Sequence, residues 1–124
     1  MDWKKLEVSS VGQFLSAYED EVITTPFTFI ATTNSIIIAG GKPVFVDINP
    51  NTLLIDADKI EEAITPKTKA IIPVHLYGRI CDMDKINSIA QKHNLVVIED
   101  TSQSFSAQDE QNRFAGMMGD CGTF

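Results

Sequence analysis

The sequence predicts an α/β fold, a mostly parallel sheet with helices on both faces, and three observations carry that expectation. Short continuous apolar runs, Val22-Ile23, Val44-Phe45-Val46, Ala70-Ile71-Ile72 and Leu95-Val96-Val97-Ile98, are separated by stretches of helical spacing. The runs do not alternate polar with apolar, which is the mark of strands covered on both faces. Polar residues stand where the runs end, at Asp47, His75 and Asp100, and parallel sheets bind ligands beyond their carboxyl ends.

Taken in order, residues 1–20 form a weakly patterned segment in which Ser10 caps a short helix carrying Val11, Phe14, Leu15 and Tyr18. Val22-Ile23-Thr24 is the first strand. A helix is expected from Thr28 to Ala39, stopped by Gly40-Gly41 because glycine takes the left-handed conformation freely, and Pro43 forbids its resumption. Pro43 to Asp47 is the next strand. After the turn residues Asn49-Pro50-Asn51, Asp58 is expected to cap a helix over Lys59 to Ile64 that Thr65-Pro66 closes. Ala70 to Val74 reads as a strand whose pairing should end at Pro73, which lacks a donor, unless that edge is free. Asp82 caps a helix over Met83 to His93 with Ile86, Ile89 and Ala90 on its apolar face, Asn94 ends it, and Leu95 to Ile98 is the last strand.

Composition narrows the function classes. Seventeen acidic and ten basic residues give a net charge of -7 with no massed cations, which argues against nucleic acid as a partner. No stretch approaches the roughly eighteen consecutive apolar residues of a membrane span, so a cytoplasmic protein is expected. Cys81 and Cys121 stand too far apart for a disulfide framework or a zinc site and read as reduced structural thiols.

Asp100, where a buried strand opens into Thr101-Ser102-Gln103, is the strongest candidate for chemistry, since an acid there is held rigidly in a low-dielectric crevice. Read alone it has two rivals: a turn-capping aspartate bonded to the Thr101 and Ser102 amides, or a magnesium ligand of a nucleotide-binding domain. The second is weakened because no G-x-x-x-x-G-K-[ST] loop is present. His75 reads as a satisfied packing or hydrogen-bonding residue and stays outside the catalytic set; His93 belongs on the surface, where a cation suits a helix C-terminus. Arg79 and Arg113 are loop charges that could meet an anion.

Four ordered segments add context: Thr24-Thr25-Pro26-Phe27-Thr28-Phe29-Ile30-Ala31-Thr32, Pro43-Val44-Phe45-Val46-Asp47, Ile72-Pro73-Val74-His75-Leu76-Tyr77-Gly78 and Val97-Ile98-Glu99-Asp100-Thr101-Ser102-Gln103. In that order and spacing the chain resembles the DegT/DnrJ/StrS sugar aminotransferases. The resemblance implies the aspartate aminotransferase type of fold (fold type I), with residues 21–124 a partial large domain binding pyridoxal 5'-phosphate. It implies a homodimer, and amino transfer from glutamate to a nucleotide-linked keto sugar in polysaccharide or antibiotic sugar biosynthesis. By the same resemblance Asp100 pairs with the pyridine nitrogen, Gln103 hydrogen-bonds the ring hydroxyl and Phe29 stacks on the ring. A carboxylate beside a pyridinium favours its protonated form by about 1 to 3 pKa units.

The chain also departs from that family. Ser9-Ser10-Val11-Gly12 stands where the family has a serine-glycine-threonine phosphate-binding turn, and does not match it. Phe124 precedes the position of the family's cofactor-anchoring lysine and of its small C-terminal domain. This chain alone is therefore expected not to turn over, and its unpaired sheet edge to favour self-association. The alternative expectation is a non-catalytic assembly module that pairs with a full-length relative or a separately encoded half.

Overall fold

Residues 19–124 are described by the structure, a computed structural model. The helix expected after Ser10, and Ser9 to Gly12, lie outside them. Five parallel strands form one sheet in the order β2-β1-β3-β4-β5, with β1 Glu21–Thr24, β2 Lys42–Phe45, β3 Thr68–Ile71, β4 Val96–Asp100 and β5 Cys121–Thr123. The expected α/β class with a parallel sheet is what the chain adopts.

Side chains alternate across the strands and bury on both faces. Val22, Ala70, Ile72 and Ile98 meet Ile36 of helix α1 (Ile30–Ile38) on one side. Ile23, Ile71 and Val97 meet the other side's helices, α2 (Ala57–Ile60) through Ile60 and α3 (Met83–His93) through Met83, Ile86 and Ile89. This double cover explains why the strands read as continuous apolar runs.

Element ends moved where local chemistry outweighed pattern. Helix α1 begins at Ile30, two residues later than expected, after a turn in which the Phe27 amide donates to Thr25 Oγ1 at 3.2 Å. It ends as expected, with Gly40 at φ +89°. Only Thr32 and Ile36 of α1 are buried, while Ile30, Ile37 and Ile38 lie exposed along it. The cap of α2 is Asp56, not Asp58: Asp56 has extended backbone and accepts from the Asp58 amide at 3.2 Å. Asp58 instead sits in the first turn and pairs with Lys85. A 3-10 turn over Glu61–Ala63 replaces the rest of the expected helix.

Regular pairing of β3 with β4 stops at Ile71, within the limit expected from the missing donor, and only an isolated bridge lies beyond Pro73. The Pro73 carbonyl accepts from the Asp100 amide at 3.0 Å, the His75 amide donates to the Asp100 carbonyl at 2.9 Å, and Val74 bridges Asp100. Helix α3 spans the expected residues, with Asp82 accepting from the Lys85 amide at 3.1 Å and Asn94 left-handed at φ +55°. His93 in its last turn lies 2.8 Å from Glu61, which Lys92 also reaches at 2.5 Å. The His93 and then the Lys92 hydrogen bonds draw the Glu61 carboxyl down to about 2. Cys81 and Cys121 are free thiols, and burial pushes the Cys81 thiol up to about 12.

Strand β5 was not expected from the sequence. It docks because the chain crosses itself closely: a Cβ built on Gly122 would stand 2.4 Å from the Gly116 carbonyl oxygen and 2.6 Å from its Cα. Backbone cannot yield as a side-chain tip can, so Gly122→Ala is expected to cost roughly 1–3 kcal/mol. Urea unfolding of that variant measures it, and an unchanged midpoint would mean that the crossing is not held.

Candidate active site

Asp100, Gln103 and Phe29 all stand beyond the carboxyl ends of the central strands. Asp100 closes β4, where its amide and carbonyl are pinned by Pro73 and His75. Its side chain is held from two sides: Thr32 Oγ1, in the first turn of α1, donates to Oδ2 at 2.7 Å, and Ser102 donates to Oδ1 from Oγ at 2.6 Å and from its amide at 3.2 Å. A helix N-terminus favours a carboxylate, so α1 both positions and supports this charge. Three donors leave part of the carboxylate's capacity of about four lone pairs unused, and the group is half-buried. The turn-cap geometry and a residual acceptor site thus coexist at Asp100.

Phe29 is the residue from which α1 starts, with extended backbone and a ring 70% exposed. Gln103 is exposed, and its carboxamide has no hydrogen-bond partner among the described residues. Phe29 and Gln103 line one crevice of about 270 Å³ together with Phe27, Thr28, Leu76 and Tyr77. Asp100 is not among its lining residues but adjoins it through Thr32, whose Oγ1 lies 3.2 Å from that of the lining residue Thr28, and through the three-residue step to Gln103. A larger acid-rich groove of about 720 Å³ runs along α2 and α3, past Asp56, Asp82, Asp84 and Asp109. None of Phe29, Asp100 and Gln103 lines that groove, and two of its carboxylates are tied to a cation: Asp84 and Asp109 each bond Arg113 at 2.6 Å.

Two features were not picked out from the sequence. Glu99, beside Asp100, points to the opposite side of the sheet and is fully buried with His75. The Cys81 amide donates to His75 Nδ1 at 3.2 Å, so Nε2 carries the proton and donates to Glu99 Oε2 at 2.9 Å. The same carboxylate accepts the Gly116, Met118 and Gly119 amides at 2.8, 2.6 and 2.5 Å. Burial pushes the Glu99 carboxyl up, but the His75, Gly119, Gly116 and Met118 donors outweigh it and hold it below the ordinary value.

The second feature is Tyr77. It and Gly78 are both left-handed, at φ +56° and +73°, and the Arg79 amide closes onto the Leu76 carbonyl at 2.9 Å, the pattern of a type I′ turn. Asn-Gly is the sequence that signals such a turn, so Tyr-Gly gave none. A left-handed residue with a Cβ carries about 1–2 kcal/mol of strain.

The donor set suits a phosphopyridine cofactor on its ring side: an acceptor carboxylate, an unengaged carboxamide and an exposed aromatic face converge at one end of the sheet. Among the described residues no three His, Cys, Asp or Glu side chains gather as a metal-binding group, and no helix is long and apolar enough to cross a membrane.

Comparison with known proteins agrees with the fold. Residues 5–124 match the model of the DegT/DnrJ/EryC1/StrS aminotransferase family. GDP-perosamine synthase of Caulobacter vibrioides is 51% identical over 105 residues, which is 85% of this chain and 28% of that protein. A dTDP-4-amino-4,6-dideoxy-D-glucose transaminase of Shigella dysenteriae is 58% identical over 90 residues, 73% of this chain and 24% of that protein. The crystal structure of NtdA from Bacillus subtilis, with the cofactor PMP bound, superposes with a TM-score of 0.74 at 47% identity, covering 86% of this chain and 25% of that one. The chain thus spans about a quarter of the length of these relatives.

Proposed function

The chain belongs to the DegT/DnrJ/EryC1/StrS aminotransferase family, and from that premise we propose that residues 21–124 form the ring-binding part of a pyridoxal 5'-phosphate site. The protein that carries them moves an amino group from glutamate to a nucleotide-linked keto sugar. The observation that supports this most is the fixed Asp100 carboxylate, buttressed by Thr32 and Ser102 and still able to accept one more hydrogen bond. Bound there, the cofactor supplies a pyridinium that withdraws electrons from the reacting carbon. Asp100 keeps the ring nitrogen protonated, Gln103 donates to the ring hydroxyl, and Phe29 covers one ring face. Such a ring contact contributes about 0.5–1.5 kcal/mol beyond burial. A cytoplasmic homodimer is part of the reading, and the apolar residues Ile30, Ile37 and Ile38, exposed along α1, support association.

The test is direct. With glutamate, a nucleotide-linked keto sugar and pyridoxal phosphate, the protein carrying this chain is expected to release 2-oxoglutarate in step with amino-sugar formation. No release with any keto sugar tried, combined with no saturable uptake of pyridoxal phosphate in equilibrium dialysis, overturns the reading. Phe29→Ala is expected to weaken pyridoxal phosphate between about twofold and tenfold while leaving the melting temperature unchanged, because its ring is largely in solvent.

A further inference from the structure

We infer that Tyr77 is a ligand-contact residue, its ring forming a wall of the Phe29–Gln103 crevice against the flat face of a six-membered ring. The ligand's identity rests on the proposed function; the placement of the wall does not. Three observations converge on it. First, the backbone of a bulky residue is left-handed, where Asn, Asp or Gly would close the same turn without strain. Second, nothing within the described residues compensates for that strain: the ring is 68% exposed and the hydroxyl has no hydrogen-bond partner among them. Strain that the fold's own packing does not offset points to a role outside it.

Third, the turn is fixed from behind and aimed at the site. The Gly78 amide donates to Ser104 Oγ at 3.1 Å and to the Gln103 carbonyl at 3.3 Å, so the turn carrying Tyr77 is bonded to the segment carrying Gln103. Leu76, just before it, is buried in the core. The backbone of Tyr77 is therefore not free to swing away as that of a loose loop would, and the residue lines the crevice shared by Phe27, Phe29 and Gln103. Aromatic rings with a polar tip recognise planar heteroaromatic rings and the carbon-hydrogen face of a pyranose by the same contact. A pyridine ring and a sugar ring are the two sources of such a face in the proposed reaction.

Tyr77→Asn and Tyr77→Phe in the protein carrying this chain separate these cases. Melting temperature is measured without ligand, and equilibrium dialysis is run with pyridoxal phosphate, dTDP-glucose and GDP-mannose as separate probes. Tyr77→Asn is expected to raise the melting temperature, because the strain is relieved, and to weaken a ring ligand between about twofold and tenfold. Tyr77→Phe is expected to keep the affinity. A loss confined to pyridoxal phosphate assigns the wall to the cofactor, and a loss confined to the nucleotide sugars assigns it to the substrate. Probes that bind the parent protein and bind Tyr77→Asn equally well overturn the inference alone. Equal losses in Tyr77→Asn and Tyr77→Phe overturn it in favour of the hydroxyl. A parent protein that binds none of the three probes overturns the functional reading beneath it. If Tyr77→Asn does not fold, the turn needs the tyrosine for structure; Tyr77→Gly, which suits the turn equally, then decides by the same dialysis.

Discussion

Glu99→Ala is expected to lower folding stability by about 3–5 kcal/mol, a large part of the roughly 5–15 kcal/mol that a domain possesses. The substitution orphans four donors at once: His75 Nε2 and the amides of Gly116, Met118 and Gly119. Each buried donor left unsatisfied costs about 1–3 kcal/mol, moderated where water reaches the turn. Glu99→Gln keeps the volume but turns an amide donor toward other donors, so it too should destabilise, by less. Urea unfolding measures both, and a loss under about 1 kcal/mol in each would show that the network is not held in solution. The pH dependence has a definite sign. Because the folded Glu99 carboxyl is held below its ordinary value of 4.5, its contribution is complete above that pH and is lost as pH falls through the folded value. Wild-type stability should therefore fall in acid more steeply than that of Glu99→Gln.

Asp100→Asn should leave the fold nearly intact, since the amide oxygen can keep the Ser102 donors while its NH2 donates to Thr32 Oγ1, whose own proton turns to Thr28 Oγ1, but should lower amino transfer by about tenfold to a thousandfold. That range is the 1 to 3 pKa units by which an adjacent carboxylate favours a protonated ring. Saturable pyridoxal phosphate uptake should weaken in parallel. Steady-state rates at saturating glutamate, with dialysis on the same samples, check the expectation. Full activity in Asp100→Asn would remove Asp100 from its assigned role.

What the sequence made legible follows from how local each signal is. Helix α3 carries its own instructions: Asp82 to cap it, apolar residues at helical spacing and Asn94 to end it. The α/β class was legible because double burial imposes continuous apolar runs. Asp56 lost its cap role to Asp58 in the sequence reading because two aspartates stand two residues apart, and only backbone conformation chooses between them. Strand β5 was illegible for a different reason. It is three residues long, carries a glycine, and pairs only because Gly122 crosses Gly116. Asp100, Gln103 and Phe29 were named through the resemblance, and the chain brings them to one end of the sheet. Glu99 was passed over because a charged residue at a strand end reads as solvated, while its burial depends on amides far along the chain. Tyr77 passed unmarked because aromatic residues give no turn signal.

The Glu99 network also dictates an order of assembly. The three amides that neutralise this carboxylate lie 17 to 20 residues downstream of it. Until that stretch is in place, seating β4 dry against β3 would leave the charge with His75 as its one donor of four, so water must remain at the strand. The central pair β1 and β3 also buries a carboxylate, Glu21, but its donors are nearer at hand, in Thr65 just before β3 and Lys42 of the neighbouring β2. The sheet is therefore expected to grow outward from its middle, with β4, β5 and the 116–119 turn arriving as one cooperative unit. In native-state hydrogen exchange, the amides of Val97 and Gly119 should open together and before that of Ile23.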